Sequence, residues 1–96
     1  MKRAYHLYIL ASQSGVLYVG VTGNLAERTH QHKIKINPNS FAAKYKCDQL
    51  VYFEEFQYVL DAIEREKQVK KWRREKKIGL INSLNPEWTD LSESFI

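Results

Sequence analysis

The chain has 96 residues, a formal net charge of +4, 44% apolar residues, four glycines, two prolines and one cysteine. That length fits one domain, residues 1–96, with a modest core, and the composition excludes disordered and collagen-like classes. No apolar run approaches the roughly 20 residues that span a bilayer. The single Cys47 rules out an intramolecular disulfide and a cysteine metal cage, so a buried inert thiol and a cytoplasmic location are expected.

The opening "MKRAYHLYILASQSG" faintly resembles a signal peptide. Its apolar part is short, is broken by His6, and flows into a second strand-like run, so it reads as structure. "YHLYILAS" (5–12) and "VLYVGVT" (16–22) predict two strands of a hairpin joined by the turn residues "QSG". Gly20 inside the second strand predicts a bulge or a close backbone approach. Tyr8 and Tyr18 share a face if the loop has an odd residue count, and are separated by a two-residue turn. Both arrangements are open from the sequence.

Asn24 and Glu27 form a capping pattern that opens a helix ending before "NPNS" (37–40). At about 100° per residue, Arg28, Thr29 and His32 fall within about 60° of Leu25, on the face expected to meet the core, while His30 points away. An inward guanidinium needs an anionic partner. "FAAKYK" suggests a short helical turn, and "QLVYFEEF" (49–56) a third strand. A long helix then runs from near Tyr58 to Trp72, and another over 74–84 stops before Pro86. The tail, 87–96, carries no strong signal.

On the long helix Glu66 falls in the middle of the stripe set by Val59, Ala62, Ile63 and Val69. A carboxylate there needs a partner. An ion pair with Lys70 and a bound cation are both open. Residues 65–77, "REKQVKKWRREKK", hold eight Lys/Arg against Glu66 and Glu75, a local +6 that leaves −2 for the rest. This patch, with Lys70, Lys71, Arg73 and Arg74, suggests a nucleic-acid surface, although most charge runs are solvated helix faces. Trp72 within it is available for base stacking or for packing on the next helix.

Two tyrosines, an arginine, a histidine and an inward glutamate beside basic residues suit metal-assisted phosphodiester cleavage. A carboxylate holds a hard cation, arginine stabilises phosphate charge, and tyrosine or histidine handles protons. No P-loop, dinucleotide fingerprint, zinc motif or serine triad is present in the sequence.

The ordered set "HLY" (6–8), "YVG" (18–20), Arg28 ten residues after Tyr18, His32 one turn later, and "AIEREKQVKK" resembles the GIY-YIG endonucleases. "KYKCDQLVYFEEF" and "NPEWTDL" are similar to the small stand-alone bacterial members, and the likeness covers about residues 4–91. His6 stands where the name motif has its first glycine. Val21 follows Gly20 where some repair-type members have lysine. The resemblance implies an α+β fold, a three-stranded antiparallel sheet flanked by helices in the order ββα-β-αα. It also implies hydrolysis of DNA phosphodiesters, with RNA as a second candidate, using one Mg²⁺ or Mn²⁺ ion and acting in repair or recombination. In those terms Tyr8 or Tyr18 generates or positions the nucleophile. Arg28 stabilises the phosphate, His32 assists, and Glu66 binds the ion. The late asparagine of the family falls on Asn85, with Asn82 as runner-up. The rival readings are a binding module of weak catalysis, or a subunit of a larger complex.

Overall fold

The computed structural model describes residues 4–35 and 37–95; residues 1–3 of the signal-like opening, Ile36 and the final Ile96 lie outside the described residues. The chain runs β1 (Tyr5–Ala11), β2 (Leu17–Thr22), α1 (Leu25–Lys33), α2 (Phe41–Lys44), β3 (Gln49–Phe56), α3 (Val59–Lys71), α4 (Arg74–Leu84) and a closing 3₁₀ helix (Leu91–Phe95). The sheet is antiparallel in the order β2-β1-β3, so the first strand lies in the middle. This is the expected α+β architecture.

Because β1 is central, both its faces are buried, which explains its continuous apolar run. Leu7, Ile9 and Ala11 face Val69 of α3 and Ile81 of α4. Tyr8 and Leu10 face Leu25 of α1 and Ala42 of α2. Each fully buried aliphatic side chain contributes roughly 1.5–3 kcal/mol. The sheet therefore separates two cores, one under α3 and α4 and one under α1 and α2.

The hairpin turn decides the question left open by the tyrosines. Ser12 N–H donates to the Val16 carbonyl at 3.0 Å, and Gly15 N–H to the Ser12 carbonyl at 3.0 Å. The loop is thus Gln13–Gly15, three residues, with Gly15 at φ +91°. A left-handed residue at the third position is what a three-residue hairpin needs. The odd loop pairs Tyr8 with Gly20 and Leu10 with Tyr18, so both tyrosines stand on the α1 face.

Gly20 marks a close approach and not a bulge. A Cβ there would lie 2.5 Å from Tyr8 Oη and 2.6 Å from Cζ, so the Tyr8 ring rests directly on the Gly20 backbone. The bulge is in β3 instead. Ile9 pairs with Tyr52 but Leu10 with Leu50, which leaves Val51 extra. Val51 and Tyr52 consequently enter the same core.

Asn85, buried at the end of α4, donates from Nδ2 to the Val51 carbonyl at 3.1 Å and to the Thr89 carbonyl at 2.8 Å. Its Oδ1 accepts from Thr89 N–H and Oγ1 at 3.2 and 3.1 Å. Asp90 accepts from Leu50 N–H at 3.2 Å and pairs with Lys33 of α1. These bonds fasten the tail, which has little hydrophobic periodicity to predict its course, across β3 and α1.

Candidate active site

Local chemistry holds α1 in place. Asn24 Oδ1 accepts from Glu27 N–H at 3.1 Å, and Glu27 Oε2 accepts from Asn24 Nδ2 at 3.2 Å. Leu25 and Thr29 are buried against the sheet. Lys35, at φ +52°, turns the chain away just after the helix.

This placement brings His32 over the two tyrosines. Tyr8 Oη and His32 Nε2 share a hydrogen bond at 3.3 Å. The Tyr8 and Tyr18 ring centroids are 6.2 Å apart, and those of Tyr18 and His32 are 5.5 Å apart. Tyr18, Arg28 and His32 line a cleft of about 310 Å³, together with Gln31 of α1, Lys35, Asn37 and Ser40 of the following loop, and Ala43 of α2. Tyr8 lies behind the cleft, only 1% exposed.

Arg28 departs from the inward placement expected of it. Its side chain is exposed at the margin of the stripe, where the cleft opens instead of a packed element. Among the described residues no carboxylate forms an ion pair with it. An exposed guanidinium in a concave site, without a carboxylate, is a natural anion contact.

Two ionisations are displaced. Burial, reinforced by the neighbouring Tyr18, pushes the Tyr8 hydroxyl well above the ordinary tyrosine range, and Arg28 opposes this only in part. Burial and then the Arg28 charge lower the His32 imidazole from its usual 6.5. Near neutrality, therefore, Tyr8 keeps its proton and His32 is uncharged. The couple holds one protonated hydroxyl and one neutral imidazole, and the tautomer in which His32 Nε2–H donates to Tyr8 Oη leaves the Nδ1 lone pair free.

Glu66 stands elsewhere. It lies on α3, which packs on the opposite face of the sheet and also reaches β2. Its side chain is 21% exposed and faces Lys70 at 3.7 Å, so the ion pair, one of the two partners left open by the sequence, forms. It is not among the residues lining the cleft. No cluster of three or more His, Cys, Asp or Glu that could hold a metal is found among the described residues. A single accessible carboxylate still suits a hard cation of the Mg²⁺ type, which keeps several waters and takes substrate phosphate oxygens as further ligands.

Residues 4–79 match the model of the GIY-YIG catalytic domain. The chain belongs to the GIY-YIG family. It is 39% identical over 82 residues to the UPF0213 protein CPE1444 of Clostridium perfringens, covering 81% of this chain and 83% of that one. The UPF0213 protein SSP2268 of Staphylococcus saprophyticus is 33% identical over 82 residues, covering 81% and 94%. The solution NMR structure of the UPF0213 protein BH0048 from Bacillus halodurans superposes with a TM-score of 0.58 at 23% identity, over 91% of this chain and 92% of that one. That last likeness is one of fold. GIY-YIG domains are nuclease domains, so nucleic acid is the substrate class. No helix among the described residues is long and apolar enough to cross a membrane.

The remaining candidates of this GIY-YIG domain are spread around it. Asn85 spends both its amide atoms on Val51 and Thr89, and Asn82 Oδ1 accepts from Trp88 Nε1 at 2.7 Å. Neither lines the cleft. Lys70, Lys71, Arg73 and Arg74 are exposed. Arg74 reaches the hairpin turn, where its Nη2 would lie 2.9 Å from a Cβ on Gly15. Trp72 is not free to stack on bases. It packs on the α3 core, with the Arg65 guanidinium 5.1 Å and the Lys76 ammonium 4.2 Å from its ring. Arg65 in turn grips Glu54 through two 3.0 Å bonds, so part of the basic run is structural. Burial alone would raise the Glu54 carboxyl, but bonds from Arg65 and Tyr52 hold it below the usual range.

Sequence reasoning missed Gln31, Lys35, Asn37 and Ser40 of the cleft. Gln31 falls about 120° from Leu25 on the α1 wheel, a direction that reads as solvent. Lys35 and the loop "NPNS" follow the helix, and a segment without a period has no facing to project.

Proposed function

We propose that this chain is a divalent-metal-dependent endonuclease that hydrolyses DNA phosphodiester bonds, with its reaction centre in the cleft between α1, β2 and α2. The observation that carries this reading is the convergence of Tyr18, Arg28 and His32 on one cleft, with Tyr8 bonded to His32 behind it. Arg28 binds the phosphate and stabilises the charge that grows on its oxygens. Neutral His32, with Nε2 engaged by Tyr8, takes the proton of the attacking water on Nδ1 as the new P–O bond forms. The P–O bond to the leaving sugar oxygen breaks with its electron pair going to that oxygen, which takes a proton from solvent. Tyr18 touches the substrate and orients the water. Tyr8, buried and protonated, is a positioning residue that holds the His32 ring.

Glu66 would hold the metal ion from the other side of the edge strand β2, which α3 contacts. This role requires a substrate that crosses that edge and meets both the cleft and the ion; there the ion would neutralise phosphate charge and lower the pKa of water. Exposed Lys70, Lys71, Arg73 and Arg74 supply attraction for the polyanion that does not depend on sequence. Action in repair or recombination accords with a compact nuclease that reads DNA structure.

The test is cleavage of a panel of labelled DNA and RNA (single strands, duplexes, flaps and branched junctions) with Mg²⁺ or Mn²⁺ and with EDTA. Metal-dependent nicking of at least one DNA form, abolished by EDTA, is the expected result. Binding without cleavage of any form, at any metal concentration, would replace this reading with a binding module.

A further inference from the structure

A row of rings leads out of the cleft to the surface. His32 meets Tyr18 at 5.5 Å, Tyr18 is stacked on Phe41 at 6.3 Å with planes 27° apart, and Phe41 meets Tyr45 at 4.6 Å. The two outer rings are unusual for their place. Phe41 is 49% exposed and Tyr45 52% exposed, at the first turn and the end of α2, whose buried residue is Ala42. The fold therefore uses little of either ring for its core, and leaves their faces to solvent.

The charge around them is one-sided. Residues 28–47 contain Arg28, Lys33, Lys35, Lys44 and Lys46 and no carboxylate. Lys33 is spent on Asp90. Arg28 and Lys35 line the cleft, and Lys44 and Lys46 are exposed beside the outer rings. Asp48 is the acidic residue that shares a recess with Tyr45 and Lys46. Aromatic faces interleaved with cations, continuous with an anion cleft, are the two parts of a single-strand nucleic-acid site. The cations follow the backbone and the rings stack on bases.

We propose that Phe41 and Tyr45 form a stacking shelf for unpaired nucleobases next to the phosphate held in the cleft. The inference rests on the nuclease reading and narrows its substrate class to DNA with unpaired nucleotides at the cutting site. A continuous duplex keeps its base faces covered by neighbouring pairs and offers the shelf nothing along its length. A flap, gap or single strand offers a free face.

The shelf is tested with the full chain in EDTA, so that binding is read without cleavage. The probes are a single-stranded oligonucleotide carrying 2-aminopurine and a closed-end duplex of equal length. Stacking is expected to quench the 2-aminopurine fluorescence on binding. Phe41→Ala is expected to weaken single-strand binding about tenfold and to remove the quench, while duplex affinity stays where it was. Phe41→Trp should restore both, which a merely misfolded variant could not do. Equal losses for both probes, no loss for either, or binding without a quench would overturn the shelf. If the wild-type chain still cuts DNA with metal while the shelf fails, the nuclease reading stands alone. If it neither binds nor cuts any nucleic acid, both fall.

Discussion

Arg28→Ala is expected to lower DNA cleavage by about 10²- to 10³-fold while leaving the folded protein intact, as for the loss of one charge-stabilising donor in other active sites. Two properties of the Arg28 side chain lead to this outcome. The guanidinium lines the cleft and has no carboxylate partner among the described residues, so its charge is available to a phosphate. The side chain is exposed and packs into neither core, but it interacts with the buried Tyr8 hydroxyl, so its removal should lower stability by no more than about 0.5–1.5 kcal/mol, the worth of one hydrogen bond. Arg28→Lys should recover only part of the rate, because an ammonium cannot give the paired planar bonds of a guanidinium. Single-turnover cleavage in Mg²⁺ beside a thermal melt checks both effects. A variant that cuts at the wild-type rate would remove Arg28 from the reaction.

Glu66→Gln is expected to cost about 10²-fold or more in cleavage, since the several kcal/mol of charge stabilisation that an ion supplies corresponds to that range. The substitution keeps the shape of the side chain and removes its charge. The ion pair with Lys70 that it breaks is an i,i+4 surface pair, worth only about 0.3–0.5 kcal/mol. A purely structural role therefore predicts a near-normal rate, and a metal role predicts a large loss. The metal role also predicts that the variant needs a higher Mg²⁺ or Mn²⁺ concentration to reach half its maximal rate. Cleavage and metal dependence unchanged by Glu66→Gln would assign the carboxylate to the helix surface alone.

How much of this was legible beforehand differs from residue to residue. The order of the strands and longer helices was, because apolar and β-branched runs mark the strands, a helical pattern marks α3, and Gly, Asn or Pro signals close the hairpin turn, α1 and α4. The α1 facing put Leu25, Thr29 and His32 correctly toward the sheet, yet placed Arg28 inside. A wheel gives an angle and not the position of a covering element, and at the margin of the stripe there is a cleft. The shared face of Tyr8 and Tyr18 hinged on a single residue of turn length, which the three-residue Gln13–Gly15 loop decides.

Other features could not be read at all. The Val51 bulge is a register slip between strands that are distant in sequence, so local pattern is silent about it. Asn85 looked like a site residue by its place in a motif, and it spends its amide on that bulge and on Thr89. Phe41 and Tyr45 sit on a helix of four residues, too short for periodicity to say which way a ring faces. Glu66 was expected in a buried stripe, but Val59 at the start of that stripe is 39% exposed, so the stripe is narrower than its pattern.

The most direct test of the central claim, that the α1–β2–α2 cleft is where the phosphate sits, is a backbone amide NMR titration with a short single-stranded DNA in EDTA. The account predicts that the largest shifts fall on Tyr18, Gly20, Arg28, Gln31, His32 and Ser40. Shifts confined to the basic run Lys70–Lys77, with the cleft residues unmoved, would contradict it.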